Sequence, residues 1–197
     1  MRTGGNTNGG SVTINKPAHT TYGDGQSEKA TLTENSWQGL AVNQDGITYT
    51  KDGTPLGAAP TDAGTYTASI TVGEGENAKT ASVEYTIAKA APKAEDFTFT
   101  APTSLTYDGN VKSATVSPAK AGTGDVIVKY YDKDGKEATP KNAGEYTVKI
   151  DVVESTNYAA ANGLTAAGWK FSITKAAAPA AETGSLTITN GTQLTYT

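Results

Sequence analysis

The side chains in this sequence that could do chemistry are few, and their spacing does not bring them together. His19 is the sole histidine. A catalytic base needs a nucleophile and an orienting acid within reach, and nothing near His19 supplies either, so we read it as a loop residue. Asp132, Asp134 and Glu137, or Asp24 and Asp108 beside glycines, could offer oxygens to calcium. A calcium loop of the helix–loop–helix type needs six ligand positions ending on a bidentate Glu. Here Asp132-Lys-Asp-Gly135 holds only a first fragment with Lys133 inside it, so a hairpin tip is the expectation and no metal. With no cysteine in the chain, disulfides, thiolate nucleophiles and cysteine-based metal centres are excluded. A self-formed isopeptide bond needs a Lys facing an Asn or Asp inside a core. Lys149 and Lys170 fall on the polar phase of their segments, and Lys16 has Ala101 as its counterpart, so no such bond is expected. Trp37 lies in the polar stretch Glu34-Asn-Ser-Trp-Gln-Gly39. An exposed aromatic in a loop is the best candidate for a ligand contact, and Trp37 is the one ligand-binding residue we expect. No enzyme, cofactor or metal site follows from these residues.

The elements that must carry them are strands. Tyr146, Val148, Ile150 and Val152 alternate with Thr147, Lys149 and Asp151, and Trp169, Phe171 and Ile173 with Lys170 and Ser172. Val83, Tyr85 and Ile87 alternate in the same way with Glu84 and Thr86. A period of two marks half-buried strands, and Trp169 is therefore read as core. Asp52-Gly53 and Asp134-Gly135 read as hairpin tips, because Asp-Gly accepts the positive φ values of a type I′ turn. The register before the second tip is open: aligning on the tip pairs Tyr49 with Tyr131, whereas the apolar phase of Val126 and Val128 selects Tyr130. Asp62-Ala-Gly64-Thr-Tyr66 and Asn142-Ala-Gly144-Glu-Tyr146 have the spacing of a tyrosine corner, in which a Tyr hydroxyl bonds back to the backbone upstream. Ala68 and Val148 stand where antibody domains place a cysteine.

These elements recur. Val12, Pro17 and Tyr22 lie 85 positions before Phe97, Pro102 and Tyr107. Pro60, Ala63, Gly64, Tyr66 and Ile70 lie 80 before Pro140, Ala143, Gly144, Tyr146 and Ile150, and Tyr85 lies 86 before Phe171. The offset drifts because loops change length and strands do not. Leu186 to Tyr196 repeats the spacing of Val12 to Tyr22, and the Ala-Pro joints Ala88–Pro92 and Lys175–Pro179 repeat as well. The expected organisation is a flexible lead (1–10), a first repeat (11–90), an Ala/Pro linker (91–95), a second repeat (96–175), a second linker (176–184) and the first strand of a third repeat (185–197). That strand is expected to pair with an edge of the second repeat or of a neighbouring molecule. The fold class is all-β: two tandem immunoglobulin-like antiparallel β-sandwich domains plus that opening strand. A net charge of −4 with dispersed lysines gives no nucleic-acid footprint, and no apolar run has the length of a membrane span.

Leu105-Thr-Tyr-Asp-Gly109, Pro140-Lys-Asn-Ala-Gly-Glu-Tyr-Thr-Val-Lys-Ile150, Asn157-Tyr158 and Phe171-Ser-Ile173 resemble the MBG and YDG-type repeats of large bacterial surface proteins. The first repeat carries Thr21-Tyr-Gly23, Pro60–Tyr66 and Tyr85-Thr-Ile87, but has Asn77-Ala78 where the family has Asn-Tyr. The resemblance implies an extracellular location, at the cell surface or secreted, and a non-catalytic stalk that presents other domains, with neighbouring repeats as partners. The alternative is an adhesive module that takes a host glycan or host protein through Trp37 and nearby loops.

Overall fold

The computed structural model describes residues 10–18, 20–23, 29–33 and 36–178, and the backbone of two strands at 186–188 and 194–196. His19, Asp24, residues 1–9 of the lead and the second joint from Pro179 to Ser185 lie outside the described residues. The chain is all-β, and the helical turns among the described residues are short 3-10 turns such as Ala94–Asp96. Among those residues no helix is long and apolar enough to cross a membrane.

The first half runs β1 (Ile14–Asn15), β2 (Thr31–Leu32), β3 (Ser36–Trp37), β4 (Leu40–Ala41), β5 (Thr48–Lys51), β6 (Thr54–Leu56), β7 (Gly64–Val72) and β8 (Lys79–Ile87). β1 pairs antiparallel with β2, and β6-β5-β7-β8 form a four-stranded sheet. The second half runs β9 (Phe97–Thr100), β10 (Thr115–Pro118), β11 (Val126–Tyr131), β12 (Gly144–Val152), β13 (Ala161–Leu164) and β14 (Lys170–Ile173). β9 pairs with β10, and β12 lies between β11 on one side and β13 and β14 on the other.

Two separate apolar clusters result. Val12, Ile14 and Ala30 meet Tyr49, Tyr66, Ala68, Ile70, Tyr85 and Ile87 in the first. Phe97, Ala114 and Val116 meet Tyr146, Val148, Ile150, Trp169, Phe171 and Ile173 in the second. Each core is the space between a two-stranded and a four-stranded layer, the β-sandwich solution to burying one face of every sheet. The alternation of β12 explains the second: Tyr146, Val148, Ile150 and Val152 are all buried, while Thr147 is exposed and Lys149 and Asp151 are half-buried.

Three details refine the sequence reading. Among the described residues beyond 185, the pairing found is not with the second repeat. β15 (Leu186–Ile188) and β16 (Leu194–Tyr196) pair antiparallel with each other, with Thr187 opposite Thr195. In both earlier copies the equivalent Thr21 and Thr106 instead bridge the last strand of their own copy in parallel. The Asp134-Gly135 tip is not a two-residue type I′ turn. Asp52 and Gly53 have φ of 50° and 76° and connect paired Lys51 and Thr54, as that turn requires, but at the second tip only Gly135 has positive φ. Asp132 is the cause. Its carboxylate accepts from the backbone N–H of Asp134 (2.9 Å) and of Lys136 (3.0 Å) and holds a longer loop. The open register is thereby fixed: Tyr130 faces Val148 as Tyr49 faces Ala68, so Tyr130 is the counterpart of Tyr49.

Candidate functional site

The tyrosine corners are built alike in both halves. Tyr66 Oη donates to the Asp62 carbonyl at 2.8 Å and Tyr146 Oη to the Asn142 carbonyl at 3.0 Å. Gly64 and Gly144 start the strands that carry these tyrosines. A Cβ on Gly64 would stand 3.1 Å from the Tyr66 hydroxyl, so the residue is small where the ring folds back. Burial raises the Tyr66 hydroxyl above its ordinary pKa, and the Asp62 charge adds to it.

A second pair of tyrosines, which periodicity alone did not single out, ties the two layers together. Tyr49 Oη accepts from the backbone N–H of Ala30 at 3.1 Å, and Tyr130 Oη from that of Ala114 at 2.9 Å. Each phenol crosses the core from the four-stranded layer to the end of the opposite one and satisfies a buried donor there. Burial raises the Tyr49 pKa, against the Ala30 hydrogen bond.

Trp37 is half-buried and packs against the first core, not out in solvent as its polar neighbours suggest. It sits on the β3–β4 hairpin, whose Gln38-Gly39 turn has φ of 47° and 77°. Its indole Nε1 donates to the Asn77 carbonyl at 3.1 Å, and Lys79 Nζ stands 5.8 Å from the ring centroid. The loop that carries Asn77-Ala78 in place of Asn-Tyr therefore clamps this tryptophan. Leu40, across the hairpin, is the exposed apolar neighbour.

Of the acidic candidates for calcium, Asp132, Asp134 and Asp108 have other partners. The Asp132 carboxylate holds its own loop, and Asp134 takes Lys133 Nζ at 2.7 Å. Among the described residues no cluster of His, Asp and Glu has the geometry to hold a metal ion. Asp108, in the Tyr-Asp-Gly turn, accepts from Lys112 Nζ at 2.6 Å and from the Asn110 N–H at 2.9 Å. The Lys112 hydrogen bond comes first in drawing the Asp108 carboxyl down to about 2, with the Asn110 backbone second. Lys112 itself is only 6% exposed, a burial that its residue type does not advertise.

The most developed constellation lies between the two halves. Asn157 uses both ends of its amide: Oδ1 accepts from the Ala63 N–H at 2.8 Å, and Nδ2 donates to Asp62 Oδ1 at 2.9 Å. Its backbone carbonyl accepts from the Ala90 N–H, and Ala159 N–H donates to the Ala90 carbonyl, each at 2.9 Å. Tyr158 meets Tyr22 edge to face, centroids 5.6 Å apart. Lys89 Nζ reaches Glu154 Oε1 at 2.6 Å. The loop that presents these groups is itself closed, since Ser155 Oγ donates to the Gly122 carbonyl at 2.7 Å and accepts from the Tyr158 N–H. Beside it a cleft of about 540 Å³ is lined by Tyr22, Ala90, Lys93, Asp96, Lys120 and Tyr158. Burial would raise the Asp96 carboxyl, but Lys120, at 2.5 Å, and the Lys93 N–H outweigh it and hold the carboxyl below its ordinary value. The motif Asn157-Tyr158 was visible in the sequence; its reach across 94 residues to Ala63 was not.

The described residues offer interlocking surfaces, and among them no nucleophile, base and electrophile converge. Comparison with curated proteins and with solved structures gives no match. Residues 98–177 match the family model of the MBG domain, and the second copy of the repeat is an MBG-type repeat.

Proposed function

We propose that this chain is a non-catalytic spacer segment of a bacterial surface or secreted protein, a stalk that holds other domains away from the cell. The observation that carries this reading is the joint between residues 62–63 and 157–158. A flexible tether needs no such contact; here a two-ended amide, a backbone bridge, an aromatic pair and an ion pair meet at one place. Direct contacts of this kind fix the angle between successive units, which is what distance-keeping requires. The short Ala88-Lys-Ala-Ala-Pro92 connection adds to it, because Pro limits the backbone.

Small-angle scattering of the 197-residue chain tests the reading. The expected result is an elongated particle whose maximum dimension is that of two units end to end. A compact profile in which the units fold side by side would overturn it.

The adhesive alternative is less well supported by its leading residue. With the Trp37 indole N–H bonded to Asn77 and one side of the ring on the core, the groups a glycan would use are partly taken.

A further inference from the structure

The surface on the first repeat that receives Asn157 and Tyr158 has a copy on the second repeat, and there no such cover is found among the described residues. The scaffold is the same in both. Tyr22 N–H donates to the Ala88 carbonyl (2.9 Å) and Ala88 N–H to the Thr20 carbonyl (2.7 Å); Tyr107 N–H donates to the Thr174 carbonyl (2.8 Å) and Thr174 N–H to the Leu105 carbonyl (2.7 Å). Both tyrosine corners hold the adjoining loop in the same backbone geometry. What differs is cover. Ala63 is buried beneath Asn157, whereas Ala143, 80 positions on, is exposed. Tyr22 is half-buried against Tyr158, whereas Tyr107 is 39% exposed. Lys175 is exposed, as its counterpart Lys89 is even with Glu154 against it, so the lysines do not differ in cover but in having that partner.

We propose that this face of the second repeat, Tyr107 with Asn142, Ala143 and Lys175, is a docking surface for the Asn-Tyr loop of a following MBG-type repeat in the same chain. The chemistry matches group for group. The Ala143 N–H stands where Ala63 donates to an Asn Oδ1. The Asn142 side-chain carbonyl can accept an Asn Nδ2, as Asp62 does, without its charge. Tyr107 offers a ring to a Tyr edge, and Lys175 a cation to an acid placed like Glu154. Ser185–Tyr196 repeats the opening of both earlier copies, which makes a third repeat the occupant to commit to. The proposal deepens the spacer reading and rests on it for the existence of that repeat.

The test extends the chain. Residues 177–197 are replaced by a second copy of residues 91–178, which reproduces the register of the first joint, and amide exchange is read by NMR. In the parent chain the Ala63 amide should exchange slowly and the Ala143 amide fast. In the extended chain the Ala143 amide should slow by about tenfold or more, the signature of a newly protected donor, and Tyr107 should resist nitration. Slow exchange at Val148 of the appended copy certifies that it is folded. Asn157→Ala in that appended copy, or Asn142→Leu on the receiving face, should restore fast exchange at Ala143. Unchanged exchange at Ala143 with a folded third unit overturns the proposal, and so does protection that survives both substitutions. Either result leaves the elongated profile of the parent chain, and with it the spacer reading, untouched.

Discussion

Two phenol-to-phenylalanine changes in the first core should have unequal costs, and the inequality follows from which group each one orphans. Tyr49→Phe removes the acceptor of the Ala30 N–H, and Ala30 is 0% exposed. No water reaches that donor in place of the phenol, so the cost is the lost bond plus a buried unsatisfied group, about 2 kcal/mol within a range of about 1–3. Tyr66→Phe removes a donor from the carbonyl of Asp62, an exposed residue. Water can take over there, and the loss is that of one exchangeable bond, about 0.5–1 kcal/mol. With a urea m-value of about 1 kcal/mol/M for a unit of this size, the midpoints should fall by about 2 M and by less than about 1 M. Because the chain has two cores, the titration is best followed on the fully buried amides of Ala68 for the first and Val148 for the second, and only Ala68 should respond. If Tyr66→Phe costs as much as Tyr49→Phe, the premise that solvent access to the orphaned partner sets the price is wrong.

Other substitutions probe the remaining features. Gly53→Ala places a Cβ at φ 76° in the β5–β6 turn and should destabilise the first core by about 1 kcal/mol, readable in the same titration. Trp37→Ala removes packing against the first core and leaves the Asn77 carbonyl to solvent. It should cost about 2 kcal/mol, and a glycan screen should give the same result before and after; binding lost with Trp37 would favour the adhesive reading. Asp108, held near 2 by Lys112, has a folded pKa below its unfolded value. The stability it adds is therefore present above about pH 4, the ordinary Asp range, and is lost as pH falls through 2. A carboxyl NMR titration should show this, and Lys112→Met should return Asp108 toward the ordinary range; an unmoved titration would refute the ion pair. Lys120→Ala leaves the buried Asp96 with only the Lys93 N–H as partner. The second core should weaken, only modestly because Lys120 is itself exposed, and a urea titration followed on the Val148 amide reads it.

How far the sequence could be read depended on the range of each interaction. Strands such as Tyr146–Val152 were legible because alternation is a local property of the pleat. The Asp52-Gly53 turn was legible because its φ values select its residues. Asp134-Gly135 looked the same and was not, since Asp132, two residues upstream, recruits the backbone of the loop. Whether Tyr130 or Tyr131 matched Tyr49 could be decided only by the cross-strand partner, Val148. The half-burial of Trp37 was not legible because its neighbours in sequence are polar, while the carbonyl that its indole meets is 40 residues away. Lys112 follows the same rule: its burial comes from the Asp108 turn and from its N–H bonded to the Pro140 carbonyl, not from its own character.

The parallel bridges Thr21–Ala88 and Thr106–Thr174 have a mechanical consequence. In each copy they join the segment by which the chain enters to the segment by which it leaves. If the two ends of the chain are pulled apart, these segments slide past each other along their length, and the hydrogen bonds between them lie across the direction of the load. Bonds loaded in shear must fail together, whereas an antiparallel hairpin pulled at its open end unzips one bond at a time. The short β1–β2 and β9–β10 pairs can give first and lengthen the chain a little, while the bridge behind them still holds the core closed.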